Sequence, residues 1–214
     1  TYPGRERKDA VRLAKKLNVR YRIIHTQELQ NPDFTSNPPQ RCYFCKKELF
    51  SKLRDIGKAE GIPYILDGSN YDDRADFRPG ARAAKELGIC SPLKEVRLGK
   101  SEIRQLSRKF NLPTWNKPSL ACYASRFPYS TEIEPRSLKQ VARAEDYLRR
   151  FGFFQVRVRH HGRTARIEID PSEFPKIIEK ETREAIVRNF KKLGYIYISL
   201  DLAGYRTGSM NEPL

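Results

Sequence analysis

The feature that most constrains this chain is an alternation of periods in its first half. Residues Glu6 to Leu17 carry apolar residues at helical spacing: Val11, Leu13, Ala14 and Leu17. Val19 to His25 switches to β-formers, with Val19, Tyr21, Ile23 and Ile24. After a Pro-broken loop, the spacing predicts a second helix over Tyr43 to Glu60, with Leu49, Phe50 and Leu53 inward and Gly61 closing it. Ile62 to Leu66 is then a short apolar strand ending in Asp67-Gly68-Ser69-Asn70. Helix and strand in strict turn argue an α/β fold with a parallel sheet. Ligands of such folds bind beyond the carboxyl ends of the strands, where Asp67 to Asn70 falls.

The second half reads differently. A short helix over Ala81 to Leu87 follows Arg78-Pro79-Gly80, and Ser101 is expected to cap a helix from Glu102 to Phe110. Glu134-Pro135 opens a helix to about Arg150. Phe154 to His160 and Thr164 to Ile169 flank His161-Gly162-Arg163 as a hairpin, with His160 and His161 expected at its exposed end. One long helix from Ser172 to Lys192 and a strand over Tyr195 to Leu200 complete an α-β-β-α-β tail, a small α+β domain. The expected division is residues 1–115 and 116–214.

At 38% hydrophobic and 11% aromatic residues the chain can bury a core, which excludes a disordered protein. It has no apolar run long enough to span a membrane and no signal peptide, so a cytoplasmic protein is expected. With Thr1 first and Met210 its single methionine, the sequence is expected to be preceded by a further segment. The net charge of +16 favours anionic partners.

Between the halves lies Asn116 to Tyr129, which combines Cys122, hydroxyls and Arg126 in a stretch bracketed by Pro118 and Pro128. Tyr123, Phe127 and Tyr129 can pin such a loop to a core, and anchored loops of this kind carry chemistry. Cys42-Tyr43-Phe44-Cys45 places two thiols on one face at the mouth of a predicted helix, where the helix N-terminus and Arg41, Lys46 and Lys47 favour thiolates. That pair suits a metal site or a redox couple. Cys90 reads as plain core. Asp67-Gly68-Ser69-Asn70-Tyr71-Asp72-Asp73 could hold a nucleotide or Mg²⁺, or be an Asx-rich turn. Val156-Arg157-Val158-Arg159 projects both arginines from one strand face, roughly 6–7 Å apart, where they suit a phosphate or a solvated surface.

Taken together these motifs resemble the LarE family of ATP-dependent sulfur transferases in nickel-pincer nucleotide cofactor synthesis. The resemblance runs through Trp115-Asn116-Lys117, Cys122 and Ser125 to Tyr129. It continues in Asp67 to Asn70, Asp72, Asp73, Asp76 and Arg78-Pro79-Gly80, in Val156 to Arg159, and in Leu200 to Arg206. It implies a Rossmann-like PP-loop ATP pyrophosphatase domain followed by a small α+β domain. The superfamily's Ser-Gly-Gly-x-Asp-Ser loop is missing here and is expected upstream of Thr1. The implied substrates are ATP, with Mg²⁺, and a phosphorylated pyridinium dicarboxylate. By motif position, Ser125, Arg126, Arg157 and Arg159 resemble the substrate-phosphate site. Glu145 and Glu173 match acidic positions near it, and Asp67 and Arg78 lie on the ATP side. The three cysteines Cys42, Cys45 and Cys122 resemble the branch that holds a [4Fe–4S] cluster, with an external sulfide donor, in place of the branch that sacrifices the sulfur of its single cysteine. A homo-oligomer is expected, and nucleic acid is not the expected partner. Two rivals are a tRNA thiolase of the same superfamily and a basic zinc-binding nucleic-acid module.

Overall fold

The computed structural model describes residues 1–75, 78–118, 121–206 and 208–211, with the backbone alone for Ala75 and Asn211. Asp76 of the acidic motif, and Ser119 and Leu120 of the central segment, lie outside the described residues. The fold is mixed and helix-rich with a small sheet, consistent with an α/β class. It divides into two compact units, Lys8–Ser119 and Thr1–Arg7 with Leu120–Leu214.

The helix α1 (Gly4–Lys16) runs from the second of these units into the first and buries none of its residues fully. The Lys8–Ser119 unit continues with α2 (Pro32–Thr35), α3 (Arg41–Ala59), α4 (Gly80–Glu86), α5 (Pro92–Glu95) and α6 (Lys100–Lys109). Its apolar centre is Phe50, Ala84 and Ile89, flanked by Leu49, Leu53, Ile65 and Leu87. Gly61, at φ +67°, takes the left-handed turn that ends α3.

Three expectations fail in this unit. Val19 to His25 is not a strand: no described strand pairs with it, and Val19, Tyr21 and Ile23 are about half exposed. β-Propensity becomes a strand only through a partner. Ile62 to Leu66 is reduced to one parallel bridge between Leu66 and Cys90, held by Cys90 N–H to Ile65 O and Asp67 N–H to Cys90 O, both 2.9 Å. Ser101 does not cap α6 but lies inside it. The Glu102 carboxylate instead accepts from Gly99 N at 2.8 Å.

The other unit contains α7 (Pro135–Arg150), β1 (Val156–His161), β2 (Thr164–Ile169), α8 (Phe174–Ile178), α9 (Lys180–Lys192) and β3 (Tyr197–Leu200). β1 and β2 form the expected hairpin, and β2 pairs in parallel with β3 across the helical crossover. Gly162, at φ +60°, supplies the tight turn. The long helix expected from Ser172 is broken, because Glu179 is extended (ψ 134°) between α8 and α9. A 3₁₀ turn, Pro171–Glu173, precedes it.

The register gives the sheet two unlike faces. Val156, Val158, Ala165, Ile167 and Ile169 share one face and enter a core with Ala144, Leu148, Ile186, Phe190 and Tyr195. Arg157 stands opposite Glu168, and Arg159 opposite Arg166, on the other face. His160 belongs to the apolar side and is buried, contrary to expectation. Its Nδ1 lies 3.2 Å from the Tyr195 hydroxyl and its ring 4.9 Å from Phe127.

Candidate functional site

The central loop is wound around one guanidinium. Residues Tyr123–Arg126 make a single 3₁₀ turn, and buried Tyr123 and Phe127 anchor it. Arg126 has no exposed surface. Its Nη1 donates to the carbonyls of Ala121 (3.0 Å) and Cys122 (3.1 Å) and to Ser125 Oγ (2.8 Å). Ser125 Oγ in turn donates to the Cys122 carbonyl at 2.8 Å. The backbone carrying the half-buried Cys122 thiol is therefore fixed by Arg126 and Ser125.

Arg126 is held from behind by Glu145 of α7. Nε and Nη2 reach the two carboxylate oxygens at 2.7 and 3.2 Å. Glu145 also accepts from Arg149 Nη2 (2.6 Å) and from Val158 N–H of β1 (3.2 Å). One carboxylate thus joins the loop, the helix and the strand. Burial alone would raise the Glu145 carboxyl, but the Arg126 charge and hydrogen bonds, followed by Arg149, hold it below its ordinary value.

A second buried fork lies alongside. Arg159 Nε and Nη2 reach Glu168 at 2.7 and 2.9 Å, while Nη1 donates to the Ser125 carbonyl (2.7 Å) and Nη2 to Ser209 Oγ (2.6 Å). Arg157 is also buried, 5.0 Å from the Tyr205 ring centre. Burial, then repulsion from Arg126, lowers its guanidinium to about 10. The buried face therefore gathers Arg126, Arg157 and Arg159 with Glu145 and Glu168. A face that gathers three buried guanidinium groups, one of them lowered by burial and then by a neighbouring cation, is suited to an anion.

The structure brings together Cys122, Ser125, Arg126, Glu145, Arg157 and Arg159. It does not bring Glu173 to them: that carboxylate accepts from Phe154 N–H at 3.3 Å and forms no ion pair with an arginine among the described residues. Glu168 stands there instead. Its signal was in the sequence: Arg166 and Glu168 alternate on the hairpin partner of Arg157 and Arg159. Ser209 had no such signal.

In the Lys8–Ser119 unit, Asp67 closes the end of its extended segment by accepting from Ser69 Oγ and Ser91 Oγ, both at 2.7 Å. Burial would raise its carboxyl, and these hydroxyls outweigh that and keep it low. Asp72 accepts from Lys100 N–H at the start of α6 (2.7 Å), and Asp73 pairs with Arg78 (2.8 Å). The acidic motif is thus an organised turn with an ionised Asp67 at its head.

Cys42, exposed, and Cys45, half-buried, sit on the first turns of α3. Tyr43 between them is buried, donates to Glu86 of α4 at 2.7 Å, and lies under the Arg82 guanidinium at 3.8 Å. Gly80 permits this approach, since a Cβ there would meet Lys46 Cγ at 2.9 Å and the Cys42 carbonyl at 3.3 Å. Two thiols one turn apart are a donor set suited to a thiolate-held metal or cluster. Among the described residues, no group of three His, Cys, Asp or Glu side chains is gathered for a metal ion. No described helix is long and apolar enough to cross a membrane.

No protein-family model matches the chain. It is 44% identical to the uncharacterized protein slr1717 of Synechocystis over 98% of its length, covering 78% of that protein. It is 32% identical to the uncharacterized protein MJ0830 of Methanocaldococcus jannaschii over 93% of its length, covering 75% of that protein. It is also 36% identical to the pyridinium-3,5-bisthiocarboxylic acid mononucleotide synthase of Lactiplantibacillus plantarum over 96% of its length, covering 74% of that enzyme. With that identity sustained across both units, the chain belongs to the family of this synthase, the LarE family.

Proposed function

We propose that this chain is an ATP-dependent sulfur transferase acting on pyridinium-3,5-biscarboxylic acid mononucleotide. ATP, with Mg²⁺, adenylates a substrate carboxylate and releases pyrophosphate. A sulfur nucleophile then attacks the acyl carbon, AMP leaves, and a thiocarboxylate remains. Adenylation supplies the leaving group that a carboxylate lacks. The proposed frame is a Rossmann-like PP-loop ATP pyrophosphatase domain over residues 1–115, with substrate chemistry in residues 116–214.

The observation that carries this reading is the wiring of Cys122. Its backbone is fixed by Arg126 and Ser125 beside a buried arginine face. Similarity to the Lactiplantibacillus synthase over nearly the whole chain supports the same reaction. In this reading the arginine face receives the substrate phosphate. Arg126 and Arg159 keep it positive while spending most of their donors on Glu145, Glu168 and the loop, and Arg157 and Ser125 complete it. The parallel bridge at Leu66 and the ionised Asp67 beyond it support a nucleotide-side role for Asp67, with Arg78 buttressing the turn through Asp73. Cys42, Cys45 and Cys122 would hold a [4Fe–4S] cluster, which would supply the sulfide.

The test uses the full-length protein, purified anaerobically and reconstituted, with ATP, Mg²⁺ and the dicarboxylate mononucleotide. AMP release matched to an oxygen-for-sulfur mass change in the product is expected. So are about four irons per chain, lost when any one of Cys42, Cys45 or Cys122 becomes alanine. Sulfur transfer without AMP overturns adenylation. Iron-free turnover in which Cys122 loses the elements of H₂S replaces the cluster with sacrifice of that cysteine.

A further inference from the structure

The stretch Leu200 to Arg206 has no part in the reaction as assigned above, yet its backbone is closely specified. β3 ends at Leu200, and the chain then turns and comes back to the same edge of β2. Asp201 N–H donates to the Ile167 carbonyl (2.9 Å), and Tyr205 N–H donates to the Ile169 carbonyl (2.8 Å). A regular strand would meet two carbonyls so spaced with donors two residues apart. The surplus residues form a turn instead. It is closed by Gly204 N–H to the Asp201 carbonyl (2.9 Å) and by Ala203 N–H to Asp201 Oδ1 (3.0 Å). An interruption of this kind re-aims the side chain that follows it.

Gly204 makes the turn possible. Its φ is +69°, and a Cβ there would meet Pro171 Cγ at 2.8 Å and the Ile169 carbonyl oxygen at 2.9 Å. Arg206 Nη1 donates to the Gly204 carbonyl at 3.2 Å. Tyr205 is therefore fixed on both sides, and its half-buried ring carries the Arg157 guanidinium, with Cζ 5.0 Å from the ring centre.

The buried arginines are thus held by two kinds of partner. Arg126 is forked onto Glu145, and Arg159 onto Glu168. A carboxylate fixes a guanidinium and also cancels its charge. An aromatic face attracts the cation through its quadrupole and cancels none of it. The Tyr205 ring can hold Arg157 in place while leaving its charge for an arriving anion. A guanidinium already held also loses less freedom when the anion binds.

We propose that Tyr205 is the positioning residue of the substrate-phosphate site. Its ring holds the Arg157 guanidinium for the phosphate and thereby sets the preference for a pyridinium mononucleotide over the corresponding nucleoside. This inference rests on the assignment of the arginine face to the substrate phosphate.

The test compares four forms of the full-length protein: unchanged, Tyr205→Leu, Tyr205→Phe, and Tyr197→Leu, which makes the same change at an exposed tyrosine of β3. Sulfur transfer is measured with the dicarboxylate mononucleotide and with its dephosphorylated nucleoside. Binding of nicotinamide mononucleotide is measured by calorimetry without ATP. Tyr205→Leu is expected to raise KM for the mononucleotide about tenfold, with kcat within about threefold and the nucleoside kinetics unmoved. It should weaken nicotinamide mononucleotide by a similar factor. Tyr205→Phe keeps the ring and should stay within about threefold of the unchanged protein, as should Tyr197→Leu. Equal KM increases for nucleotide and nucleoside, a fall in kcat alone, or a Phe variant as impaired as the Leu variant would each overturn the role of the ring, leaving the reaction standing. If no form transfers sulfur but nicotinamide mononucleotide binding still depends on the Tyr205 ring, the reaction fails and the positioning role holds. Neither turnover nor binding in the unchanged protein overturns both.

Discussion

Arg126 and Glu145 form a two-pronged ion pair, 2.7 and 3.2 Å, with neither side chain exposed. Removing one partner strands a buried charge. Glu145→Ala is expected to cost about 3–5 kcal/mol of unfolding free energy. Glu145→Gln keeps the shape, loses the charge, and should cost less. Urea unfolding at neutral pH measures both. A loss under about 1 kcal/mol for Glu145→Ala would show that the loop does not rely on the pair.

The same carboxylate sets an acid limit. Its folded pKa lies below the ordinary value of 4.5. Its stabilising contribution is therefore complete above about pH 4.5 and is lost as pH falls through the folded value. Unfolding followed from pH 6 downward should steepen below that point. Glu145→Gln should flatten this part of the profile, and an unaltered acid slope would assign the loss to other groups.

Arg159 makes a different demand on chemistry. One guanidinium reaches Glu168 twice, the Ser125 carbonyl and Ser209 Oγ. A lysine amine cannot span that fork. Arg159→Lys is expected to lose about 1.5–3 kcal/mol and to weaken substrate binding more than Ser209→Ala does. Equal KM values in the two variants would leave Arg159 with packing alone.

These relationships were unequally legible in the sequence. The two prolines and three aromatics around Cys122 announced an anchored loop, because prolines exclude ladders and buried rings fix position. The hairpin was legible from its period, and so was the shared face of Arg157 and Arg159. His160 continues the Val156-Val158 alternation onto the buried face, but a histidine beside a turn reads as polar and exposed. The Val19–His25 segment reads as a strand by composition, yet pairing is a tertiary fact that composition does not contain. Glu145 meets Arg126 across 19 residues and Ser209 meets Arg159 across 50, distances that no local period encodes.

The thiol pair depends on Tyr43. Its hydroxyl donates to Glu86 and its ring carries Arg82, so α4 grips the first turn of α3 between Cys42 and Cys45. Tyr43→Phe is expected to cost about 1 kcal/mol. It should also raise the iodoacetamide alkylation rate of Cys45 several-fold in the metal-free protein, with exposed Cys42 changing less. Rates that do not move would show that the turn holds its shape without the clamp.

His160 supplies a second pH dependence, at milder acidity. Burial, with the charge of His161 next, lowers its pKa from the ordinary 6.5, against a weaker upward pull from Glu134. The unfolded chain then binds the proton more readily than the folded one, so stability falls as pH drops below about 6.5 and levels off below the folded value. The ring lies between Phe127 of the central loop and Tyr195 of the core, so its protonation loosens the packing that anchors the Cys122 loop. His160→Phe should remove the part of this slope that His161 does not supply, and His161→Gln should leave the His160 part in place. If the two single variants have the same profile between pH 7 and 5 as the unchanged protein, His160 takes up its proton equally in the folded and unfolded chain and the loop has no such sensitivity.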